Sequence, residues 1–401
     1  MIHHLAIHHI TDILAGAGAV GALSSLVYYL LCLWSAAEFL QRRKSANKSS
    51  NPSFPPVSIL KPLKGLDLCM DENFRSHCLQ NYPQYEIIFG VNEEDDPAVH
   101  AVKRLQAEFP HYQIRLVVCD EELGANLKVS CLAQMLRQAR HEFIVVNDSD
   151  IRVAPGYLRS VIAPLAENGA AAKVGLVTCM YRGVAAATLG SRLESLGIST
   201  DFCAGVLAAN KLEGAVRFGL GSTLAFRRSD LQAVGGFEAL ADYLADDYEI
   251  GYRLTKRGLA GKVSETVVET FLPAYKLREF IAHQLRWART VRASRPGGYA
   301  GLALTFGLPW ALLALIFGGA APWTWALLSA VIAARVAVAI VVGCYALQDR
   351  QVWRLLPLLP LRDLIAALVW IGGLAGNTVV WRGDEFRLQD GKLKRRLTTN
   401  R

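Results

Sequence analysis

FIVVNDSDIRVAPGYL, residues 143–158, begins with four apolar residues typical of a buried strand and continues into Asp148 and Asp150. Residues i and i+2 of an extended segment point to the same side, so the two carboxylates are expected to face one point. Two carboxylates 4 Å apart repel by about 4 kcal/mol at an effective dielectric constant of 20. A divalent cation removes that repulsion, and hard cations share oxygen ligands with phosphates. The pattern therefore predicts Mn²⁺ or Mg²⁺ with a nucleotide diphosphate, or, as the alternative, only a capped turn at the strand end.

The residues before this stretch alternate between short apolar runs and helical patterns. The apolar runs cover 57–63, 85–92, 113–119 and 143–147. The helical patterns lie near 71–80, 97–108 and 126–140. This alternation predicts an α/β domain with a mostly parallel sheet and helices on both faces. Ligands of such sheets bind beyond the carboxyl ends of the strands, where Asp148 and Asp150 are expected to lie.

The composition indicates a membrane protein, because 52% of the 401 residues are apolar and the mean hydropathy is positive. Residues 13–34 carry no charge and are followed by QRRK, which predicts an anchor with the chain from Gln41 onward in the cytoplasm. Three further apolar windows lie at 299–321, 324–347 and 355–381. Arg335 must face a helical partner, a cavity or a phosphate rather than lipid. The last window contains two prolines and a charged pair, so it either spans, re-enters or lies at the surface.

Two more acidic clusters follow the same logic. In VNEEDDPA, residues 91–98, Asp95 or Asp96 is placed to hold a base or ribose, or to cap the helix that starts near Pro97. In YLADDYEIG, residues 243–251, Asp246 and Asp247 stand at the start of a helix. An N-cap role accounts for one of these two aspartates, so the second is expected to have another role.

Basic residues near these clusters suggest anion binding. Lys61, Lys64 and Lys128 lie where a phosphate or a uracil needs donors, although each is also compatible with a solvated surface charge. Residues 277–296 combine aromatic residues with five arginines just before an apolar window, which predicts an interfacial helix. Eight scattered cysteines without a CxxC pair indicate neither a disulfide framework nor a zinc site.

Five motifs in order, VSILKPLKGLD, VNEEDDPA, NDSDIRV, LADDYEIG and HQLRW, resemble the ceramide glucosyltransferase family, which includes bacterial ceramide enzymes and a hopanoid-biosynthesis branch. The resemblance implies a GT-A type (nucleotide-diphospho-sugar transferase) domain on the cytoplasmic face. It also implies transfer of a sugar from a UDP-sugar, with UDP-glucose favoured, to a membrane-lipid hydroxyl with inversion. The lipid bilayer is an expected partner, and nucleic acid is not.

Carried over by position, the resemblance assigns a role to each motif. The first acidic motif falls at Asp95 and Asp96, the metal-site motif at Asp148 with Asp150, and the catalytic base at Asp247 beside Asp246. The closing QxxRW-type motif falls at His283, Arg286 and Trp287, and Arg286 is expected near the departing UDP. The chain departs from the pattern at His283, where the family has Gln or Arg.

These expectations divide the chain into five parts: an anchor at 10–40, the catalytic domain at 52–272, an interfacial helix at 273–296, a membrane bundle at 297–381 and a basic tail at 382–401. Other functions remain open at this point. They are transfer of N-acetylglucosamine to a hopanoid, sugar transfer to a polyprenyl phosphate, and an inactive membrane scaffold. The expected location is a bacterial inner membrane with several spans.

Overall fold

The computed structural model describes residues 2–46, 54–167, 173–381 and 384–395. Its contacts divide the chain into two units. The helical unit comprises residues 1–41, 187–208 and 274–377. The α/β unit comprises residues 42–186, 209–273 and 378–401.

The helices are α1 (Ile2–Ala46), α2 (Met70–Cys78), α3 (Ala98–Glu108), α4 (Leu127–Gln138), α5 (Tyr157–Ala166), α6 (Leu189–Gly197), α7 (Cys203–Leu212), α8 (Arg228–Gln232), α9 (Asp246–Lys256), α10 (Leu277–Ser294), α11 (Pro296–Gly301), α12 (Gly307–Phe317), α13 (Pro322–Val338), α14 (Gln351–Leu355) and α15 (Leu359–Leu374). Two π-helical segments, Ile198–Phe202 and Ala339–Ala346, continue α6 and α13. The strands are β1 (Val57–Pro62), β2 (Tyr85–Val91), β3 (Ile114–Val118), β4 (Phe143–Val146), β5 (Ile151–Arg152), β6 (Val174–Val184), β7 (Leu224–Arg227), β8 (Ala260–Phe271), β9 (Thr378–Trp381), β10 (Asp384–Gln389) and β11 (Lys392–Arg395).

The predicted α/β fold, with a largely parallel sheet and apolar helices towards both ends of the chain, is confirmed. The first eight strands form one sheet in the order β3-β2-β1-β4-β7-β6-β8-β5. Strands β1 to β4 are parallel, as predicted, and β7 adds antiparallel to β4. Two apolar clusters, one containing Val57 and Phe74 and the other containing Leu60 and Leu132, form the core. The carboxyl ends of β1 and β4 therefore lie side by side, with Lys61 and Asp148 close to this edge.

The last three strands form a separate antiparallel sheet, β11-β10-β9, within the α/β unit. Its backbone joins the segment before α9, because the Leu393 N–H donates to the Asp242 carbonyl (2.7 Å) and the Leu244 N–H donates to the Gly391 carbonyl (3.3 Å). The Lys392 ammonium lies 5.3 Å from the centre of the Tyr243 ring. The part of the predicted basic tail that the structure describes is therefore a folded component of the α/β unit.

Among the described residues, three helices are long and apolar enough to cross a membrane: 9–45, 322–346 and 351–374. The predicted window 299–321 is not one straight helix, because Pro296–Thr305 and Gly307–Phe317 meet at 52°. Tyr29 occupies the bend: its hydroxyl donates to the Thr305 carbonyl (3.3 Å) and accepts from the Gly307 N–H (3.3 Å). Sequence hydropathy contains no sign of this bend.

Candidate active site

The turn after β4 carries the first two predicted site residues. The strand ends at Val146, and residues 147–150 leave it with a turn at 149–150, so the extended geometry expected for Asp148 and Asp150 is wrong. Asn147 lies between the strand and this turn. Its side-chain amide donates to the Ser222 carbonyl (2.6 Å) and the Tyr157 hydroxyl (2.9 Å). Its backbone N–H donates to the Leu60 carbonyl (3.2 Å).

Lys128 joins two of the three acidic motifs. Its ammonium lies 2.8 Å from Asp148 Oδ1 and 3.3 Å from Asp246 Oδ2, and the lysine and Asp246 are both nearly buried. Burial alone would lower the pKa of Lys128, but the carboxylates of Asp148 and Asp246 outweigh it and raise that pKa. Lys128 is therefore a fixed cation, and Asp246 is its anchor.

Asp247 and Asp148 converge on Gly221. The Gly221 N–H donates to Asp247 Oδ2 (2.9 Å). A Cβ at position 221 would lie 2.6 Å from Asp148 Oδ2 and 3.5 Å from Asp247 Oδ2. The loop that contains Gly221 thus approaches the acidic side chains closely. Burial, followed by the neighbouring Asp246, raises the pKa of Asp247 to about 7, which suits a group that accepts a proton near neutral pH.

Asp150 and Lys61 complete the cluster. Asp150 Oδ2 accepts a hydrogen bond from the Thr270 hydroxyl (2.5 Å), and burial together with Asp148 raises the pKa of Asp150 to about 6. Lys61 is fully buried and donates to the Asp148 carbonyl (2.9 Å), and burial lowers its pKa to about 7. Its amino group is thus already engaged by the backbone of the 147–150 turn.

The donor set fits a divalent cation that is shared with a phosphate. No group of three or more His, Cys, Asp or Glu side chains in the described part of the chain is arranged to hold a metal alone. Asp148 and Asp150 nevertheless offer two hard oxygen donors whose mutual repulsion a cation would relieve. One or two carboxylates plus substrate phosphates is the usual ligand set for Mg²⁺.

The first acidic motif has a capping role. Both Asp96 oxygens accept from the Gly65 N–H (3.0 and 2.9 Å), and Oδ1 accepts from the Ala98 N–H (2.8 Å) at the start of α3. Gly65 has φ +68°, a conformation that favours glycine. Asp95 and Lys64 are exposed. The N-cap residue of α3 is Pro97, and Asp96 beside it accepts from the first N–H of the helix and also fixes the turn that follows β1.

The HQLRW residues lie on α10 in the helical unit. His283 Nδ1 is 2.9 Å from Glu194 Oε1, and Glu194 is 2% exposed. The His283 ring stacks on Tyr275, with centroids 5.6 Å apart, and lies 5.3 Å from the Trp287 ring. The histidine that departs from the family motif is thus in contact with a buried glutamate on α6.

Sequence reasoning missed several residues that build these sites. Asp67 accepts a short hydrogen bond from Ser149 and so links the turn after β1 to the turn after β4. Asn147, Thr270 and Glu194 were also missed. Each is distant in sequence from its partner, so no local pattern could identify it. Gly221 had a signal, because it lies in a run of small residues.

Comparison with known proteins shows that residues 18–394 match glycosyl transferase family 21. Ceramide glucosyltransferase 3 of Caenorhabditis elegans is 26% identical over 288 residues, which cover 72% of this chain and 61% of that protein. Ceramide glucosyltransferase 1 of the same organism is 28% identical over 216 residues, 53% of this chain and 45% of that one. The chain thus spans less than two thirds of the length of these relatives. The family match confirms the resemblance to ceramide glucosyltransferases.

Two solved structures are similar to this chain. A mannosyltransferase from Pyrobaculum calidifontis, in complex with GDP-Man and Mn²⁺, has a TM-score of 0.48 and 19% identity, and the match covers 88% of this chain and 99% of that one. TarS residues 1–349 from S. aureus, in complex with UDP, has a TM-score of 0.37 and 13% identity, with 84% of this chain and 98% of that chain covered.

Proposed function

This chain belongs to glycosyl transferase family 21, and we propose that it transfers a sugar from a nucleotide-sugar donor to the hydroxyl of a ceramide-type membrane lipid. The observation that carries the proposal is the convergence of Asp148 and Asp247 on Gly221, with Lys128 tying Asp148 to Asp246. Such a cluster provides a proton acceptor beside a fixed positive charge. The names of the relatives support ceramide as the acceptor.

Asp247 is the proposed general base. Direct displacement at the sugar inverts its configuration and requires one carboxylate to take the proton of the attacking hydroxyl. The raised pKa of Asp247 makes it basic enough for this role near neutral pH. The Gly221 N–H orients one of its oxygens and leaves the carboxylate directed at the cluster.

Asp148 and Asp150 are the proposed ligands of Mn²⁺ or Mg²⁺. When bound, such a cation supplies positive charge to the departing nucleoside diphosphate. Lys128 holds Asp148 in place through its ion pair, and Lys61 holds the turn through the Asp148 carbonyl. We propose Lys64, Asp95 and Asp96 as donor-binding residues through the turn after β1. His283, Arg286 and Trp287 are proposed to bind substrate from α10.

UDP-glucose is the favoured donor. The alternatives are transfer from UDP-N-acetylglucosamine to a hopanoid and sugar transfer to a polyprenyl phosphate. Purified protein with Mn²⁺ is expected to convert ceramide and UDP-glucose to a hexosylceramide, detected by mass spectrometry. Asp247→Asn should lower the rate by about 10² or more, since a positioned base contributes about 10²–10⁴-fold.

The outcomes separate these hypotheses. Product formation by Asp247→Asn at the wild-type rate would remove the proposed base. An N-acetylhexosaminyl hopanoid formed in place of hexosylceramide would favour the first alternative. Nucleotide binding without turnover on any of the three lipids would favour an inactive scaffold.

The chain is proposed to be a multi-pass protein of a bacterial inner membrane with a cytoplasmic α/β unit. Basic residues Arg42, Arg43 and Lys44 follow the apolar part of α1, which places this end in the cytoplasm. Strand β11 pairs with the segment before α9, so residues 274–377 leave and rejoin the same unit. They must therefore cross the membrane an even number of times.

Contacts along α1 indicate which helices cross. A Cβ at Gly18 would meet Ala314 N at 2.5 Å, whereas Ser25, nearer the cytoplasmic end, donates to the Leu304 carbonyl (2.8 Å). The chain thus moves away from the cytoplasmic side between 304 and 314. It returns along α13, because Arg335 donates to the Thr200 carbonyl (3.1 Å) and Asp349 accepts from Ser199 (2.7 Å).

We propose that helix α15 lies beside α10 at the membrane surface and does not cross. A Cβ at Gly372 would lie 3.1 Å from Leu285, and Arg292 donates to the Gly376 carbonyl (2.6 Å). One side of α15 exposes Leu361, Leu364, Leu368 and Ile371, and the other carries Arg362 at 7% exposure. The exposed apolar side is available to lipid, and Arg362 faces protein, where it donates to the Gln284 side chain (3.2 Å). We propose three crossings: α1, the bent segment 296–317, and 322–346.

A further inference from the structure

A polar cavity lies among the apolar helices of the helical unit. It lies between α1, the π-helical segment after α6, the bend at Phe306, α13 and α15, and its empty volume of about 350 Å³ includes space open to solvent. Charged and hydroxyl groups line it, among them Tyr28, Tyr29, Asp201, Arg335 and Asp363. Ionisable groups inside a membrane unit are costly, so their collection around one space calls for a functional reason.

Two of the charges satisfy each other. Arg335 donates to both oxygens of Asp363, with Nε–Oδ2 and Nη2–Oδ1 distances of 2.9 Å, and also to the Thr200 carbonyl at 3.1 Å. This bidentate pair is nearly buried and holds α13 to α15. It forms one wall of the cavity and has little hydrogen-bonding capacity left for a ligand.

Asp201 differs from this pair. Its side chain is 43% exposed, and its ion pair with Arg362 is long, 3.8 Å between Nη2 and Oδ2. The carboxylate therefore offers acceptor capacity to whatever enters the cavity. Tyr28 also lines the space, and apolar residues Ala204, Phe306, Val338 and Ala366 line the remainder.

The size and charge of the cavity restrict the ligand. Water-sized groups have only about 20 Å³ in which to place their centres, enough for one or two small polar groups and too little for a sugar ring. Because Arg335 and Asp363 neutralise each other, Asp201 leaves the lining with a net negative charge that would repel an anionic phosphate. A neutral head group with hydroxyl or amide N–H donors complements the carboxylate, and the apolar lining suits the start of a hydrocarbon chain.

The position of the cavity agrees with a head group. Tyr28, Tyr29 and Trp34 lie near the end of the apolar part of α1, before the basic residues 42–44. Tyrosine and tryptophan are enriched at this level of a bilayer. A lipid with its head at the cytoplasmic interface would present hydroxyl and amide groups here.

We propose that this cavity binds the polar head of an uncharged lipid through hydrogen bonds to Asp201. The assignment of that lipid as the sugar acceptor rests on the proposed function. Lipid binding itself does not, so a failure of one is distinguishable from a failure of the other.

The test compares Asp201→Leu with Asp12→Leu, which removes an exposed acid from α1 of the same unit. Thermal unfolding of the full chain in detergent is measured with short-chain ceramide, bacteriohopanetetrol or phosphatidic acid. We expect an uncharged lipid to stabilise the wild type and Asp12→Leu, and Asp201→Leu to bind it at least about tenfold more weakly, because a hydrogen bond to a charged group is lost.

Each outcome has a defined meaning. A shift that depends on Asp201 supports the site, and the lipid that gives the larger shift identifies the head group. Equal stabilisation of Asp201→Leu and the wild type would overturn the proposal, as would a shift with phosphatidic acid as large as that with the neutral lipids. Absence of sugar transfer with Asp201-dependent binding retained would contradict the proposed function and leave the cavity assignment intact.

Discussion

The arrangement of the acidic cluster requires that Gly221 carry no side chain. Two acidic side chains from different elements occupy the space that its side chain would need, and its N–H orients one of them. Gly221→Ala must displace Asp148, which is held on its other oxygen by Lys128. We expect kcat to fall by about tenfold or more, because sub-ångström displacement of catalytic groups is costly.

The matched control is Gly156→Ala in the same unit, where an added Cβ meets nothing within 4 Å. Initial rates and thermal unfolding are measured for both variants. Gly156→Ala should keep the wild-type rate and stability, and Gly221→Ala should lower the free energy of unfolding by about 1–3 kcal/mol while the protein stays folded. Full activity of Gly221→Ala would show that the close approach has no catalytic role.

Protons should compete with metal at Asp150. Burial and Asp148 raise its pKa to about 6, so the metal-free side chain is neutral below that pH and anionic above it. Cations bind the anionic form, so the affinity for Mn²⁺ should weaken by up to about tenfold for each pH unit below 6. Calorimetric titration at pH 5, 6 and 7 measures this, with Asp150→Asn as the control that lacks the titrating group. Equal affinities at pH 5 and pH 7 would contradict the assignment of Asp150.

At the scale of elements, residues 241–245 connect the site to the tail. Asn126 caps α4 by accepting from the Val129 N–H (3.2 Å) and donates to the Tyr243 carbonyl (2.7 Å). The carbonyl of Asp242 in the same segment accepts a hydrogen bond from the Leu393 N–H, and the segment leads directly into Asp246. The tail strands therefore support the elements that carry both Lys128 and Asp247.

Removal of residues 378–401 should lower kcat by about tenfold or more, because the segment before α9 loses its partner strand. A chain that ends at Arg395 keeps all three strands and is the matched control. Sugar transfer is measured beside membrane association, which we expect both chains to retain since their apolar helices are intact. The prediction fails if the chain that ends at Asn377 is as active as the control.

At the scale of the whole molecule, the proposed crossing pattern predicts that two turns lie on opposite sides of the membrane. Ala320 and Gln348 are exposed turn residues with nearly the same backbone, φ +53° and +56°. Three crossings put Gln348 on the side of the α/β unit and Ala320 on the other. Single cysteines introduced at these two positions, in a background with Cys69→Ser and Cys344→Ser, test on which side of the membrane each turn lies.

An impermeant maleimide added to sealed vesicles with the α/β unit outward should label Gln348→Cys and leave Ala320→Cys unlabelled until detergent is added. The six other cysteines are buried and should stay unlabelled. The reverse pattern would mean that 351–374 crosses and that the bent segment re-enters.

The sequence by itself determined that the first four long strands are parallel, that the ends of the chain are apolar, and where the acidic motifs lie. These follow from local periodicity and from the rule that strand ends of a parallel sheet share one edge. Only the tertiary structure decided that Lys128 joins Asp148 to Asp246. The same is true of the contact between Glu194 and His283 and of the bend in the 296–317 segment at Tyr29. Each of these depends on partners far apart in the chain, and hydrogen bonds and ion pairs between such residues leave no periodic trace in the sequence.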